Sequence, residues 1–195
     1  MRGLLRKKVV WALLIVGAIG AAVGLWAFQP WKIWTRSTAD DALPAEVAAL
    51  DVTTTAAAPP PAGAPLPGPT SVPTTVSPPP SGPAVLAGGD FVSGEHDTKG
   101  RARVLRLSDG SRVLRLENFS TSDGPDVHVW LSDAASGGPW GAYDDGRYVR
   151  LGKMKATDGN QNYSIPADAN IQGLRSVVIW CDRFNVAFGS AALPL

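Results

Sequence analysis

Between Asp51 and Asp90 the chain carries no charged residue, and eleven of its 17 prolines fall from Pro59 to Pro83. A stretch so rich in proline, alanine and threonine cannot bury a core. It therefore cuts the 195-residue chain in two. Beyond it about 105 residues remain, from Gly89 to Leu195, enough for one small single-core domain. That size excludes a multidomain enzyme. A single cysteine, Cys181, excludes an internal disulfide framework.

On the N-terminal side, Val9 to Phe28 is twenty residues without a charge. As a helix rising about 1.5 Å per residue it spans roughly the 30 Å hydrocarbon layer. Arg2, Arg6, Lys7 and Lys8 precede the run, and only Lys32 and Arg36 follow closely. That bias places the N-terminus in the cytoplasm and the remainder outside. Trp11 stands near one end, and Trp26, Trp31 and Trp34 near the other, as interfacial aromatics do. A cleaved signal peptide has the same charge order but a shorter apolar region, and large aromatics crowd the position where a small-residue cleavage site would stand. A lipoprotein would need a cysteine there. The reading is thus an uncleaved single-pass anchor. Gly20 and Gly24 match the small-xxx-small pattern of helix dimers and equally suit ordinary membrane glycines.

The expected organisation is a basic cytoplasmic tail (1–8), a transmembrane helix (9–28), a juxtamembrane segment with a disordered Pro/Ala/Thr-rich linker (29–86), and a β-domain (87–195). Ser37 to Asp51 suggests at most a short helix or two turns. The proline steps from Val52 to Gly89 favour an extended polyproline II spacer that lifts the domain off the membrane. A ligand for a recognition domain and a glycosylated stalk are the alternatives. The C-terminal region holds twelve basic and thirteen acidic residues, without the basic excess that nucleic-acid binding requires.

Strand signals dominate after Phe91. Arg101–Leu107 and Arg112–Glu117 alternate basic and aliphatic residues around Ser108-Asp109-Gly110-Ser111, a hairpin signal. Leu105, Leu107, Leu114 and Leu116 are expected to face inward, with Arg106 and Arg115 outward. In Val127–Ser132 the odd positions form one face, and His128, Trp130 and Ser132 the other. Arg147–Leu151, Asn162–Ile165, Arg175–Cys181 and Phe184–Phe188 complete seven strands, which predicts an all-β fold, a small β-sandwich or barrel-like domain. Ala167–Gly173 is a candidate helical turn. In the glycine-rich loop Asp133–Gly146, Trp140 and Tyr143 form either a lid over the core or a contact surface, and a lid fits aromatics of that size better.

Several strings coincide in order: Gly124-Pro125-Asp126-Val127-His128-Val129-Trp130, then Gly159-x-Gln161-x-Tyr163-x-Ile165-Pro166, then Trp180-Cys181-x2-Phe184 with Phe188-Gly189. Together they resemble the DM13 domain family over nearly all of Phe91 to Leu193. The anchor and Pro-rich segment are similar to bacterial envelope-tethered members. The resemblance implies a β-rich extracytoplasmic module. It also implies a proposed role in electron transfer, through a cysteine acting as a thiol or as ligand to a prosthetic group such as haem. Carried onto this chain, that cysteine is Cys181.

Two roles for Cys181 stay open on the residues alone. An odd cysteine in an exported domain suggests a reactive thiol or an intermolecular partner. Its strand parity, shared with Val177 and Ile179, suggests instead a buried and inert thiol. His96 and His128 are the only histidines, candidate ligands for a cofactor or ordinary hydrogen-bonding residues. The absence of Cys-x-x-Cys-His excludes covalent c-type haem. His96, His128, Cys181 and Met154 supply the ingredients of a blue-copper site. However, no histidine or methionine follows Cys181, so copper ranks below haem and both rank below a thiol. Zinc lacks paired ligand spacing, and no dedicated metal site is expected. Neither Gly-x-Ser-x-Gly nor HExxH is present, and Asp123 and Asp126 read as turn formers. The expectation is a membrane-anchored extracytoplasmic redox or electron-transfer accessory, not a stand-alone enzyme, that meets an envelope protein or redox partner. The alternative is a non-enzymatic binding module with a structural cysteine.

Overall fold

The computed structural model describes residues 2–48 and 82–195. Most of the Pro-rich stretch lies outside the described residues. Helix α1 (Arg2–Phe28) has 27 residues, and it is long and apolar enough to cross a membrane. It ends where Gln29 turns left-handed (φ 43°) ahead of Pro30, which opens a short 3₁₀ turn, Pro30–Trp34.

Nine strands follow: β1 (Thr38–Asp40), β2 (Ala84–Ser93), β3 (Lys99–Arg106), β4 (Arg112–Ser120), β5 (Val127–Ser132), β6 (Tyr148–Lys153), β7 (Asp158–Ile165), β8 (Ser176–Cys181) and β9 (Val186–Ala192). They form one curled sheet in the order β1-β7-β4-β3-β2-β9-β8-β5-β6, a half-barrel. Every pair is antiparallel except β1 with β7. Strand β2 is the fold line. Its first part pairs with β3, and Phe91–Ser93 pairs with β9, so the sheet wraps around its own core.

The alternation of β5 and β8 sorts side chains into two layers. Val127, Val129, Leu131, Val177, Ile179 and Cys181 enter the large inner cluster. Trp130, Val178 and Trp180 point the other way, into a second cluster with Tyr143. Loop 133–146 closes over that second cluster. Tyr143 bonds Ser190 Oγ through its hydroxyl (2.8 Å), and its carbonyl accepts from Ser132 Oγ (3.1 Å). Tyr143 is the lid; Trp140 remains 50% exposed.

The structure corrects four expectations. The strands number nine rather than seven, because Thr38–Asp40 joins the sheet and β2 begins at Ala84. Thr38–Asp40 pairs in register with Asp158–Asn160 of β7. The last strand begins at Val186, since Asn185 (φ 53°) belongs to the turn. Residues 167–173 hold two short turns, at 167–168 and 172–173, rather than one helical turn. In β3 the inner face is carried by Ala102 and Val104, opposite Leu116 and Leu114. Leu105 lies on the other face with Arg103 and Arg115. That face is nonetheless covered. Arg115 is only 6% exposed and donates to the Asp41 carbonyl (2.6 Å) and Asn162 Oδ1 (3.0 Å). Nearby, Glu46 accepts from the Ser108 amide (2.8 Å), and Val47 is wholly buried.

The contacts of β1 are acid-sensitive. Lys155 (2.6 Å) and the Asn162 amide (2.8 Å) hold the Asp41 carboxyl below its ordinary value of 3.8. Burial works against ionisation of Asp158, but the Thr157 hydroxyl and Arg36 outweigh it, so its pKa is also lowered. A carboxylate with a depressed folded pKa stabilises fully above its unfolded pKa and loses that contribution as pH falls through the folded one. Acidification below 3.8 is thus expected to loosen residues 36–42 before the rest of the sheet melts. NMR shifts of Ala39 and Gly159 should change at higher pH than those of Val178 and Ile179.

Candidate functional site

The chemically distinctive side chains collect at one pole of the half-barrel. Strand β8 ends there at Cys181, and the tight turn 182–185 leads into β9. The loop between β4 and β5 lies beside it, and the Asp182 amide donates to the Asp126 carbonyl (3.0 Å). The same pole meets the end of α1. Arg183 donates to the Ala27 carbonyl (3.0 Å), Phe184 stacks on Phe28 at 6.1 Å, and Lys32 donates to the Gly124 carbonyl (3.1 Å).

Cys181 is 0% exposed. It stands opposite Val127 on β5 and Val186 on β9, and it belongs to the aliphatic cluster with Ile179 and Phe188. Burial pushes its thiol pKa up, against backbone hydrogen bonding from Phe184, Arg183 and Asp126 that favours the thiolate. The sulfur is thus sealed by its cluster neighbours, at the end of β8 where turn 182–185 begins.

His128 does not approach it from the same side. Its partner across the ladder is Trp180, so the imidazole lies on the opposite face of β5 from the thiol. Nε2 of His128 meets Asp126 Oδ1 at 3.0 Å and Asp182 Oδ2 at 3.5 Å. Arg150 grips both Asp182 oxygens (2.9 and 3.3 Å), and Lys153 reaches Asp126 (3.3 Å). Burial opposes ionisation of Asp126, yet hydrogen bonds from His128 and Lys153 bring its pKa below the ordinary range. Arg150 also lies 4.4 Å over the Trp130 ring, tying this network to the outer aromatic cluster.

His96 is elsewhere, in the loop after β2. Its ring packs on Phe188 at 4.0 Å, and desolvation lowers its pKa. Met154 lines a small cleft of about 90 Å³ with Lys32, Asp123 and Lys153, and its amide bonds the Val127 carbonyl on the side of β5 away from Cys181. A wider cleft of about 390 Å³ opens at the far pole, between Leu86, Arg112, Ile171 and Leu195. Cys181 lines neither.

These positions test the cofactors that the residue types suggested. A Cys181-ligated haem needs an open face at the sulfur and a second ligand facing it. The thiol has no exposed surface, and both imidazoles are engaged apart from it, so the residues do not fit that group. The copper set fails likewise, because among the described residues no grouping of ligand atoms brings Cys181 together with both imidazoles. Among the described residues, Asp126, His128 and Asp182 form a grouping whose ligand atoms lie within 4.8 Å of one another. A cation there would have to displace Arg150 and Lys153, so the grouping is a charge-balanced ion network.

Sequence reasoning read Asp126 as a turn former and missed this network. The i, i+2 spacing of Asp126 and His128 at a strand entrance was its one local signal. Arg150 and Asp182 meet only through the β5–β6 and β5–β8 pairings.

A protein-family model described as "Electron transfer DM13" matches residues 90–193. No curated protein and no solved structure matches the chain.

Proposed function

This chain belongs to the DM13 family, and from that premise we propose that it is a membrane-anchored, extracytoplasmic accessory of an electron-transfer system. It serves by docking to an envelope redox partner rather than by carrying electrons on Cys181. It is not a stand-alone enzyme. The observation that carries this reading is the sealed thiol. A raised pKa and complete burial leave it neither nucleophile nor ligand in the folded state. The anchor rests on the length and apolarity of α1. The orientation rests on four basic residues before the apolar run against two after it.

One observation favours a second reading, in which Cys181 acts as a thiol or ligand with turn 182–185 in place. Backbone hydrogen bonds from Phe184, Arg183 and Asp126 would stabilise a thiolate there. Absorption spectra of the full chain in detergent, alone and after adding haem or Cu(II), separate the two. The docking reading expects no Soret shift and no thiolate-to-copper band that depends on Cys181. A band present in the parent and lost in Cys181→Ser overturns it in favour of the second.

A further inference from the structure

A spacer should leave the anchor and the domain without direct contacts. The described residues show the reverse. Immediately after α1 the chain binds to the β-domain and stays on it. Thr35 Oγ1 donates to Asp123 (2.8 Å), and Arg36 donates to the Thr121 carbonyl (2.7 Å) and pairs with Asp158. The Ser37 amide donates to Thr157 Oγ1 (2.9 Å), and Ser37 in turn accepts from the Asp158 amide (2.9 Å). Thr38, Ala39 and Asp40 then pair in register with Asp158, Gly159 and Asn160. Asp41 and Ala42 close the run on Lys155, Asn162 and Arg115. Gly159 is shaped for this contact. A Cβ there would fall 2.1 Å from the Ala39 carbonyl oxygen, and its φ of +102° suits glycine.

The two ends of the undescribed segment are equally telling. On one side, Glu46 accepts from Ser108 in the β3–β4 turn. On the other, the Gly82 carbonyl accepts from Arg106 (3.4 Å), and Ala84 pairs with Arg106. Glu46 and Gly82, on either side of the undescribed residues, therefore both contact the β-domain at one pole, the pole opposite α1.

We infer that residues 30–48 are an integral clamp and first strand of the β-domain, so that the Pro-rich segment does not connect the anchor to the domain mechanically. The helix end, the clamp and β2–β9 are held together across β1–β7 and the hairpin 182–185. On the anchor reading, the domain sits flush on the bilayer with the Cys181 pole toward it. Cutting the chain within 49–81 breaks the covalent path and leaves the clamp in place.

The test uses the full chain in detergent, with a site-specific protease sequence inserted between Pro69 and Pro73. After complete cutting, seen as two bands on a denaturing gel, the two fragments are expected to co-elute on gel filtration and separate only in denaturant. In membranes the cut domain should stay in the pellet. Arg36→Ala combined with Asp41→Ala removes side-chain ties and leaves the sheet core untouched, and this variant should release the domain at least about tenfold faster after cutting. Separation of the parent fragments at physiological salt overturns the inference. So does undiminished retention in the double variant, which would place the hold outside the clamp. Neither result depends on what Cys181 does.

Discussion

Trp180→Ala is expected to lower the stability of the β-domain by about 3–5 kcal/mol, the range for a buried tryptophan reduced to a methyl group. Trp180 is 1% exposed. It lies between Trp130, stacked at 5.1 Å, and Tyr143, edge-on at 6.5 Å, with Val178 and Ala187 in the same cluster. That cluster is small and closed by a loop, so nothing larger can collapse into the void. The loss is a large share of the 5–15 kcal/mol typical of a whole domain. Urea unfolding should show a lower midpoint at unchanged slope. Trp140→Ala in the same loop is the control, expected within about 0.5 kcal/mol of the parent because that side chain is half in solvent. A Trp180→Ala loss no larger than that of Trp140→Ala would mean that the cluster beneath loop 133–146 is not closely packed.

Much of this architecture was legible because strand parity has a period of two. In Val127–Ser132 and Arg175–Cys181 the pattern assigned Val127, Val129, Leu131, Val177 and Ile179 to one face and Trp130, Val178 and Trp180 to the other, and the two clusters follow that division. The same parity set Cys181 beside Val177 and Ile179. Three things were not legible. Thr38–Asp40 has no apolar alternation, and its partner lies 120 residues away, so only tertiary pairing makes it a strand. Leu105 was assigned to the inner face by alternation; it is fully buried, but on the other face. The register with Leu114 gives the inner place to Val104, while Asp41 and Asn162 engage Arg115 on the outer face. The ion network around His128 depends on three strands meeting at one pole, which no local spacing encodes.

The candidate site was legible in type and not in state. The family strings contain Cys181 and His128, His96 is the other histidine, and residue chemistry alone left each of them two roles. Register decides where they point. It sends His128 to the side of Trp180 and leaves Cys181 in the inner cluster, which His96 only borders through Phe188, so the set that looked like a cofactor cradle is not gathered on one face.

The most direct test of that account is the rate at which Cys181 reacts with a maleimide or an aromatic disulfide at pH 8, native against urea-unfolded. The attacking species is the thiolate, and both burial and the raised pKa suppress it. Reaction must wait for an opening, local at turn 182–185 or global. Because the sulfur lies behind packed side chains, opening is expected to cost enough to slow labelling by on the order of a thousandfold. Phe184 shields the turn by stacking on Phe28, so Phe184→Ala should recover part of the rate while the parent stays protected. A native rate a thousandfold or more below the unfolded one is the predicted result. Labelling of the folded parent within about tenfold of the unfolded chain would contradict the sealed thiol, and with it the docking role proposed for this protein.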